Sequence, residues 1–256
     1  MNAVFNREDV RVARGLARSL LIYYRPFRVR RLARFYAPFI HPGDVCFDIG
    51  SHVGNRVAAW LRLGARVVAV EPQPACVRLL RRWYGANPNV TLIPQAVGAT
   101  PGSQSLFVSE RTPTVTTLSR DWAEAVGQAE SFAGVRWDTA IPVEVTTLDE
   151  LIARFGAPAF CKIDVEGYER EALMGLSQGL PCLSFELAPP ALDTATACVD
   201  RLLALGAYRF NFSPGESLLW RWPQWVEADR LRSWMATLDV DDPSGDIYAR
   251  RGDLEG

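Results

Sequence analysis

From residue 45 onward, short apolar strands alternate with helical stretches, and this alternation constrains the fold more than any other feature of the sequence. The first predicted strands are Val45–Ile49, Arg66–Val70 and Val90–Val97, and the segments between them, about 53–63 and 74–84, are predicted helices. Such alternation is typical of parallel strands joined by right-handed crossovers. The sequence therefore predicts an α/β fold with a doubly wound, mostly parallel sheet.

A long interruption separates this first half from the rest of the sheet. Residues 99–157 contain a hairpin-like turn at Thr100–Gly102, a strand at Ile141–Thr146 and a short helix opened by a capping box, Thr147 to Glu150. The insertion is too long for a plain connection, so it is a candidate lid or substrate-binding element. The alternation then resumes, with strands predicted at 159–165 and 182–187, helices at 168–176 and 194–205, and antiparallel closing strands at 208–212, 217–221 and 247–250.

Residues 1–42 precede the first strand and are predicted to form a basic helical extension of one domain that spans 43–256. Pro26 is expected to divide this extension into two helices, because proline breaks a helix interior. One face of the first helix is apolar and the arginines lie off it: Leu16, Leu20 and Tyr24 against Arg11, Arg14, Arg18 and Arg25. These arginines could meet anionic lipid or a phosphorylated ligand, but a solvated face is the favoured interpretation.

Composition limits the partners. The chain of 256 residues has a net charge of −1, so no overall basic field points to nucleic acid. No apolar run approaches the roughly 20 residues of a spanning helix, and no secretory signal is evident. We therefore expect a soluble, cytoplasmic protein with a small-molecule or glycan partner. Peripheral membrane contact is not favoured, and a homo-oligomer stays open.

Cysteines and histidines limit the metal chemistry. Five cysteines, an odd number without C-x-x-C spacing, favour buried free thiols in a reducing compartment over a disulfide or a zinc site. With only His41 and His52 available, a histidine-rich metal site is excluded. We predict no metal cofactor.

The loop after the first predicted strand is the sharpest local signal, with Asp48 two residues before Gly50 and Gly54 four residues further on. Ligands bind beyond the carboxyl ends of parallel strands, where glycines let the backbone approach them closely. A dinucleotide site would have G-x-G-x-x-G against a pyrophosphate, whereas Asp48 repels phosphate and suits a cationic amine. Glu71, at the end of the second strand, is placed to accept ribose hydroxyls. Singly, Asp48 could cap its loop and Glu71 could be a solvated strand end; together they favour a ligand site.

A second constellation follows the strand predicted at 159–165. Period-two alternation places Lys162 and Asp164 on one side of that strand, at the same edge of the sheet as Asp48 and Glu71. Lys162 is the only lysine among 28 basic residues, which indicates a need for a compact ammonium group. A buried Lys162–Asp164 ion pair without chemistry is the alternative.

These segments occur in an order that resembles a known family. The ordered set is FDIGSHVGN at 47–55, VEP at 70–72, AVG at 96–98, TTLDEL at 146–151, KIDVEGYE at 162–169 and LSFE at 183–186, with weaker support from GDIYA at 245–249. Over about residues 43–190 the chain resembles the FkbM family of S-adenosylmethionine-dependent methyltransferases. The resemblance implies a class I methyltransferase (Rossmann-like) fold. It also implies methylation, usually of a hydroxyl on a sugar, glycolipid or secondary metabolite.

The resemblance also implies roles for individual residues. The methionyl part of S-adenosylmethionine would contact Asp48, Gly50, Ser51, His52, Gly54 and Asn55. Glu71, followed by Pro72, would hold the ribose, and the adenine would lie beside Gln95, Ala96 and Val97. The Lys-Ile-Asp-x-Glu-Gly motif matches at Lys162, Asp164, Glu166 and Gly167.

Methyl transfer to a hydroxyl benefits from positioning and from a general base. Asp164 is the first candidate for the base or the acceptor-orienting group, and Glu166 and Glu186 are next. Lys162 would tune Asp164 or stabilise a developing alkoxide. A divalent ion held by Asp164 and Glu166 is a less favoured alternative.

Other interpretations stay open. A nicotinamide-dependent oxidoreductase would explain the fold and Glu71, but not Asp48 or the missing G-x-G-x-x-G. A noncatalytic nucleotide-binding module is disfavoured by Lys162 and Asp164. Four C-terminal tryptophans could stack on an acceptor sugar, although a core or dimer contact is favoured for them: Trp220, Trp222, Trp225 and Trp234.

Overall fold

A computed structural model describes residues 7–109, 115–127, 135–137 and 139–252, with side chains described from residue 12 onward. The helices are α1 (Arg7–Tyr23), α2 (Arg28–Tyr36), α3 (Asn55–Leu61), α4 (Pro74–Tyr84), α5 (Arg120–Val126), α6 (Leu148–Phe155), α7 (Glu169–Met174), α8 (Leu192–Leu205) and α9 (Ala228–Met235), with a 3-10 turn at Pro189–Ala191. The strands are β1 (Val45–Ile49), β2 (Arg66–Val70), β3 (Val90–Ile93), β4 (Ala96–Val97), β5 (Gly102–Val108), β6 (Thr139–Thr146), β7 (Phe160–Ile163), β8 (Cys182–Leu187), β9 (Tyr208–Pro214) and β10 (Gly245–Arg251).

Seven strands form the main sheet in the order β3-β2-β1-β7-β8-β10-β9. The first five are parallel, and β10 runs antiparallel between β8 and β9. β1 lies between β2 and β7, so the strand order reverses at β1 and opens a crevice at the carboxyl ends of these strands. The doubly wound α/β fold of the class I methyltransferase type is confirmed.

Both faces of the sheet are covered, which explains why its central strands are mostly apolar, with Asp48 of β1 and Lys162 of β7 among the exceptions. On one face, Cys46, Val67 and Phe160 pack against the N-terminal helices and α3. On the other, Phe47 and Cys161 join the larger core cluster beneath α7 and α8. Alternation along β7 therefore turns Lys162 toward the face that carries α2 and α3.

The N-terminal extension is one of these covering layers. As predicted, the chain breaks at Pro26, with α1 ending at Tyr23 and α2 beginning at Arg28. Leu32 and Tyr36 of α2 are fully buried, and the Tyr36 ring packs edge-on against Trp60 of α3 at 5.4 Å.

The predicted faces of α1 are observed in the described part of the helix. Leu16, Leu20 and Tyr24 are half-buried, while the arginines predicted to lie off that face, Arg14, Arg18 and Arg25, are exposed. The side chain predicted for Arg11 lies outside the described residues.

A second sheet, in the order β4-β6-β5, joins two strands of the predicted insertion to β4, which lies just before it. Val90–Val97 was predicted as one strand, which is wrong: β3 pairs with β2, whereas β4 pairs with β6 of the second sheet. The physical reason is Pro94, which has no N–H to give to a ladder and separates the two strands. Only half of the predicted capping box forms. Thr147 accepts the N–H of Glu150, but the Glu150 carboxylate accepts the hydroxyl of Thr146 instead.

The strand predicted at 217–221 is also wrong. These residues form a loop after β9, because Leu218 has φ 58, a left-handed conformation that ends an extended strand. All five cysteines are free and buried, which confirms the predicted thiols. Within the described ranges, each helix is too short or too polar to cross a membrane.

Candidate active site

A cavity lies at the carboxyl ends of β1, β2 and β7, where the strand order reverses. Every predicted site residue lines it except Gly54 and Glu186: Asp48, Gly50, Ser51, His52, Asn55, Glu71, Pro72, Gln95, Ala96, Val97, Lys162, Asp164 and Glu166. The sequence did not single out two of the other lining residues, Tyr23 of α1 and Arg56 of α3. The insertion adds Leu106, Thr116 and Leu118, in agreement with its predicted place beside the ligand.

The loop after β1 is held tightly against the end of β7. Gly50 has φ +83, and a Cβ there would lie 1.8 Å from the carbonyl oxygen of Asp164. Gly54 has φ +75 but packs on α4, where a Cβ would lie 2.7 Å from the Leu80 side chain. Gly50 therefore allows the loop after β1 to pack against the end of β7, whereas Gly54 allows α3 to pack on α4.

Asp48 offers an unused acceptor to this cavity. Its side chain is 2% exposed, and its Oδ2 atom is buried with no hydrogen-bond partner among the described residues. Burial raises the pKa of Asp48 to about 6, although Arg56 and Lys162 act in the opposite direction. A cationic donor placed against Oδ2 would satisfy this atom and stabilise the carboxylate.

Glu71 lies across the loop from Asp48. Its Oε2 accepts the N–H of His52 and its Oε1 accepts the N–H of Gln73, both at 2.8 Å. Burial raises the pKa of Glu71 to about 7 in spite of these two bonds. A carboxylate has about four lone-pair positions, so two remain for ligand hydroxyls.

Lys162 joins two carboxylates. Its Nζ lies 3.0 Å from Asp164, as the sequence predicted, and 2.9 Å from Asp246 of β10, which the sequence did not place there. The side chain is only 1% exposed. Burial alone would lower its pKa, but the two carboxylates outweigh burial and hold the pKa well above its usual value. The same ammonium, with Arg56, lowers the pKa of Asp164 against the effect of burial, so Asp164 is ionised at neutral pH.

The ion pairs continue away from the cavity toward the N-terminal helices. Arg56 lies 3.9 Å from Asp246 and 2.8 Å from Glu216, and Glu216 lies 3.0 Å from Arg28 of α2. Arg56 and Asp246 are each less than a tenth exposed. Charges of alternating sign therefore connect α2 to the Lys162–Asp164 pair. GDIYA at 245–249 was the only sequence signal for Asp246, and Arg56 had none among 27 arginines.

A carboxyl cluster lies on the other side of Asp164. One oxygen from each of Asp164, Glu166 and Glu186 lies within 4.8 Å of the others. Burial, together with Glu186 and Asp164, raises the pKa of Glu166 well above its usual value, and burial with Asp164 does the same for Glu186. Such carboxyls share protons or hold a hard divalent cation.

The backbone around Glu166 is specially shaped. Glu166 has φ 53, and Gly167 after it has φ +85 with the Trp122 ring where a Cβ would lie. The hydroxyl of Thr117, from the insertion, donates to the Glu166 carbonyl at 2.6 Å. A left-handed non-glycine residue beside a cavity is strain of the kind that clusters at functional sites.

His52 and Tyr23 form the cavity wall nearest α1. Their ring centroids are 6.0 Å apart, and His52 has φ 47. Burial lowers the pKa of His52 to about 4, so its ring is neutral at neutral pH. His52 therefore contributes no positive charge that would compete with a cationic ligand at Asp48.

The four C-terminal tryptophans lie elsewhere. Trp220 packs on Phe35 at 4.6 Å and on Tyr248 at 4.9 Å, and the Trp222 ring packs edge-on against Trp234 at 5.4 Å. They are not among the residues that line the described cavity. These contacts agree with the favoured interpretation of them as packing residues.

A doubly wound sheet with carboxylates at the ends of β1 and β2, both lining one cavity, defines a class I methyltransferase. Among known families, the methyltransferase FkbM domain matches residues 48–210. The chain belongs to this family of methyltransferases.

Relatives outside the family match are distant. No curated protein matches the chain in sequence. Solved structures of similar fold include precorrin-6Y C5,15-methyltransferase from Geobacter metallireducens, at 14% identity, covering 86% of this chain and 88% of that one with a TM-score of 0.45. An O-methyltransferase from Bacillus cereus in complex with SAH shows 13% identity, covers 97% and 92% and has a TM-score of 0.44. An rRNA methylase from Streptococcus thermophilus shows 12% identity, covering 89% of this chain and 96% of that one with a TM-score of 0.42. These likenesses are too distant to indicate an acceptor.

The cofactor of the chain is S-adenosylmethionine, and the cavity fits it. The orphaned Oδ2 of Asp48 suits the methionyl ammonium. Glu71 keeps two lone-pair positions free, and Gln95, Ala96 and Val97 line the same cavity. Their assignment to the ribose and the adenine stays a prediction.

The raised pKa values of Asp48 and Glu71 predict a pH-dependent affinity for S-adenosylmethionine. Because both groups bind as carboxylates, the affinity should rise between about pH 5 and about pH 7.5, where the ligand's amino group stays protonated. Asp48→Asn should weaken binding by about 10–100-fold, the equivalent of one hydrogen bond to a charged group, and flatten this rise. Calorimetric titration at several pH values measures both effects.

Adenosine is the matched control ligand, because it lacks the methionyl amine and should bind wild type and Asp48→Asn alike. An S-adenosylmethionine affinity that is independent of pH, or that falls as pH rises, would contradict the roles given to both carboxylates. Binding of NAD in the same titration would contradict the arrangement of the whole site.

Proposed function

We propose that this methyltransferase transfers the methyl group to a hydroxyl oxygen, on a sugar, glycolipid or secondary metabolite. The observation that carries the proposal is the carboxyl cluster of Glu166 and Glu186 beside Asp164 at the cavity. A hydroxyl must lose a proton as it is methylated, and carboxyls with raised pKa values are suited to receive that proton near neutral pH.

The methyl donor supplies an activated methyl group when bound, and the chain's own residues supply position and charge. Asp48 holds the methionyl ammonium of the donor and Glu71 holds its ribose, and the neutral His52 lines the same cavity. Asp164 is kept ionised by Lys162, so it is suited to accept a hydrogen bond from the acceptor hydroxyl and orient it. Holding two reactants in line accounts for much of the rate of such a displacement.

The destination of the proton follows from the pKa directions. The lowered pKa of Asp164 makes it a weak base, which favours an orienting role over proton transfer. Glu166 has a raised pKa, lines the cavity and has an unusual backbone conformation that is held by Thr117. We therefore place the proton acceptor at Glu166, with Glu186 as the neighbour that keeps its pKa high. Ranking Glu166 above Asp164 as base departs from the order that the sequence favoured.

A screen with methyl-labelled S-adenosylmethionine tests the proposal. Glycans, glycolipids and polyhydroxylated metabolites are compared with amine-bearing analogues, and the labelled atom of the product is located by NMR. Glu71→Ala, which should lose the cofactor, is the matched inactive control. A methyl group on oxygen supports the proposal; a methyl group on nitrogen or carbon overturns it.

We also propose a cytoplasmic location, supported by the five free, buried thiols. Fractionation of cells that express the full chain tests it, and recovery in an extracellular or periplasmic fraction would contradict it.

A further inference from the structure

The turn between α1 and α2 exposes large apolar side chains. Leu21 and Phe27 are 76% and 71% exposed, and Ile22 is 37% exposed. Phe27 has φ 66 and lies in the turn itself, after Pro26 has ended the first helix. Isolated exposed apolar residues need no explanation. Three within seven positions form an apolar surface, and such surfaces mark interaction sites.

Arginines surround these apolar side chains. From residue 10 to residue 43 the chain carries eight arginines and no acidic residue, although its overall net charge is −1. Arg14, Arg18 and Arg25 are exposed. Arg14 and Arg18 share one stripe of α1 with Leu21, because positions three and four apart lie on one helix face, and Arg25 follows in the turn after the helix. Within the described ranges, these three arginines form no ion pair.

The stripe is a true outer surface, because the other side of α1 is buried against the protein. Gly15 and Ser19 are buried, and Tyr23 lines the active-site cavity. Arg28 of the neighbouring helix, by contrast, is paired with Glu216 and belongs to the internal ion-pair chain. The helix thus separates the cavity from a cationic, apolar exterior.

The same surface continues onto α4. Trp83 is 41% exposed and packs edge-on against Tyr24, the residue that follows α1, with ring centroids 5.3 Å apart. Three more exposed arginines lie on that helix, at Arg78, Arg81 and Arg82. Tryptophan is favoured at membrane interfaces, because one side of its ring is apolar and the other can stay hydrated.

We propose that this surface, the α1–α4 basic face, docks on an anionic lipid bilayer. It consists of Leu21, Ile22, Phe27 and Trp83 with Arg14, Arg18, Arg25, Arg78, Arg81 and Arg82. Cationic helices with exposed apolar side chains lie in the bilayer interface, where arginines meet lipid phosphates and apolar groups enter the acyl boundary. Nucleic acid would use the arginines but leave the aliphatic Leu21 and Ile22 without a partner, so lipid is the occupant that matches both components. The sequence alone favoured a solvated face, and the exposure of these apolar side chains changes that preference.

Vesicle co-sedimentation of the full chain tests the proposal, with phosphatidylcholine vesicles that either contain or lack phosphatidylglycerol. Wild type should bind the anionic vesicles, and added salt should weaken binding by screening. Replacing Arg14, Arg18 and Arg25 by Gln should weaken partition about 100-fold, from roughly fivefold per arginine. Leu21→Ser with Phe27→Asn should weaken it at least about tenfold, and asparagine tolerates the left-handed backbone at residue 27.

Matched controls separate this face from general charge and from folding. Arg154, Arg170 and Arg230 are exposed arginines on α6, α7 and α9, and replacing all three by Gln removes the same charge from other helices. Val240→Ser with Met174→Ser is the corresponding apolar control. Each variant should retain wild-type affinity for S-adenosylmethionine. Deletion of the extension is not used, since it would remove the buried Leu32 and Tyr36.

Several outcomes overturn the proposal: no binding to anionic vesicles, equal binding to neutral ones, or equal losses in the α1–α4 variants and their controls. Light scattering and a fluorescent oligonucleotide examine the other occupants. The proposal would also be overturned if the protein self-associates, or binds the oligonucleotide but not vesicles, and the variants of the α1–α4 basic face lose that property. Because none of these readouts uses an acceptor, the outcome is independent of the proposed hydroxyl methylation.

Discussion

Lys162→Met should lower the free energy of unfolding by about 3–5 kcal/mol, the usual cost of removing one partner from a buried ion pair. Methionine fills a similar volume but leaves Asp164 and Asp246 without the ammonium that lies 3.0 and 2.9 Å from them. Arg56, at 3.9 Å from Asp246, compensates only in part. Urea unfolding followed by circular dichroism measures the loss.

The loss should depend on pH in a defined direction. In wild type the folded-state pKa of Lys162 is raised, so its contribution is fully present below its unfolded pKa and is lost only at strongly alkaline pH. In the variant, Asp164 and Asp246 repel each other and their folded-state pKa values rise. A carboxyl with a raised pKa destabilises the fold above its unfolded pKa, so the penalty should be larger at about pH 8 than at about pH 5.

A triple variant separates charge from packing. Combining Lys162→Met with Asp164→Asn and Asp246→Asn removes the unpaired charges while keeping the side-chain volumes, and should recover most of the lost stability. If the triple variant is as unstable as Lys162→Met alone, the loss comes from packing and the ion-pair explanation is wrong. A penalty that shrinks as pH rises would contradict it equally.

Local sequence patterns predicted most of the main sheet, because its central strands β1, β2, β7 and β8 are short, mostly apolar runs that are largely buried on both faces. Val45–Ile49, Arg66–Val70 and Cys182–Leu187 have the predicted bounds. The errors arose where one residue overrides a favourable pattern. Pro94 divides an apolar run between two sheets, and Leu218 takes a left-handed conformation inside a run of strand-forming residues.

The residues at the cavity likewise fall into two groups: those that local sequence predicts and those that only the tertiary structure brings together. Asp48, Lys162 and Asp164 were predictable, because each stands at or next to the carboxyl end of a parallel strand and such ends meet at one edge. Asp246 was not, because β10 enters the sheet antiparallel between β8 and β9, and hydrophobic periodicity does not specify strand order. Arg56 reaches the site through its contacts with Glu216 and Asp246, which join segments far apart in sequence.

The second large effect concerns turnover. With saturating cofactor and the acceptor identified by the methyl-labelling screen, wild-type kcat should rise with pH, because the raised pKa of Glu166 must be exceeded before it can accept a proton. Glu166→Gln should lower kcat by about 10²–10⁴-fold and remove this pH dependence, since that range is typical of a lost general base. Because the cofactor is saturating, the pH profile of kcat does not report the titration of Asp48 and Glu71 in the cofactor-free protein.

Neighbouring variants distinguish the roles within the cluster. Glu186→Gln should move the rise in kcat to lower pH, because the Glu186 charge helps to raise the pKa of Glu166. Asp164→Asn should lower kcat through lost orientation while the pH dependence remains. Asp246→Asn removes the other carboxylate from Lys162 without changing a residue that lines the cavity, so it should affect kcat far less than Asp164→Asn.

Each alternative has a distinct outcome. If Asp164→Asn abolishes the pH dependence and Glu166→Gln leaves it intact, Asp164 is the base and the order favoured by the sequence is correct. Equal losses in Asp164→Asn and Asp246→Asn would mean that both carboxylates act only by holding Lys162. A chelator that abolishes wild-type turnover, with rescue by a divalent cation, would show that Asp164, Glu166 and Glu186 serve as metal ligands, because oxygen atoms within 4.8 Å of one another can share one ion.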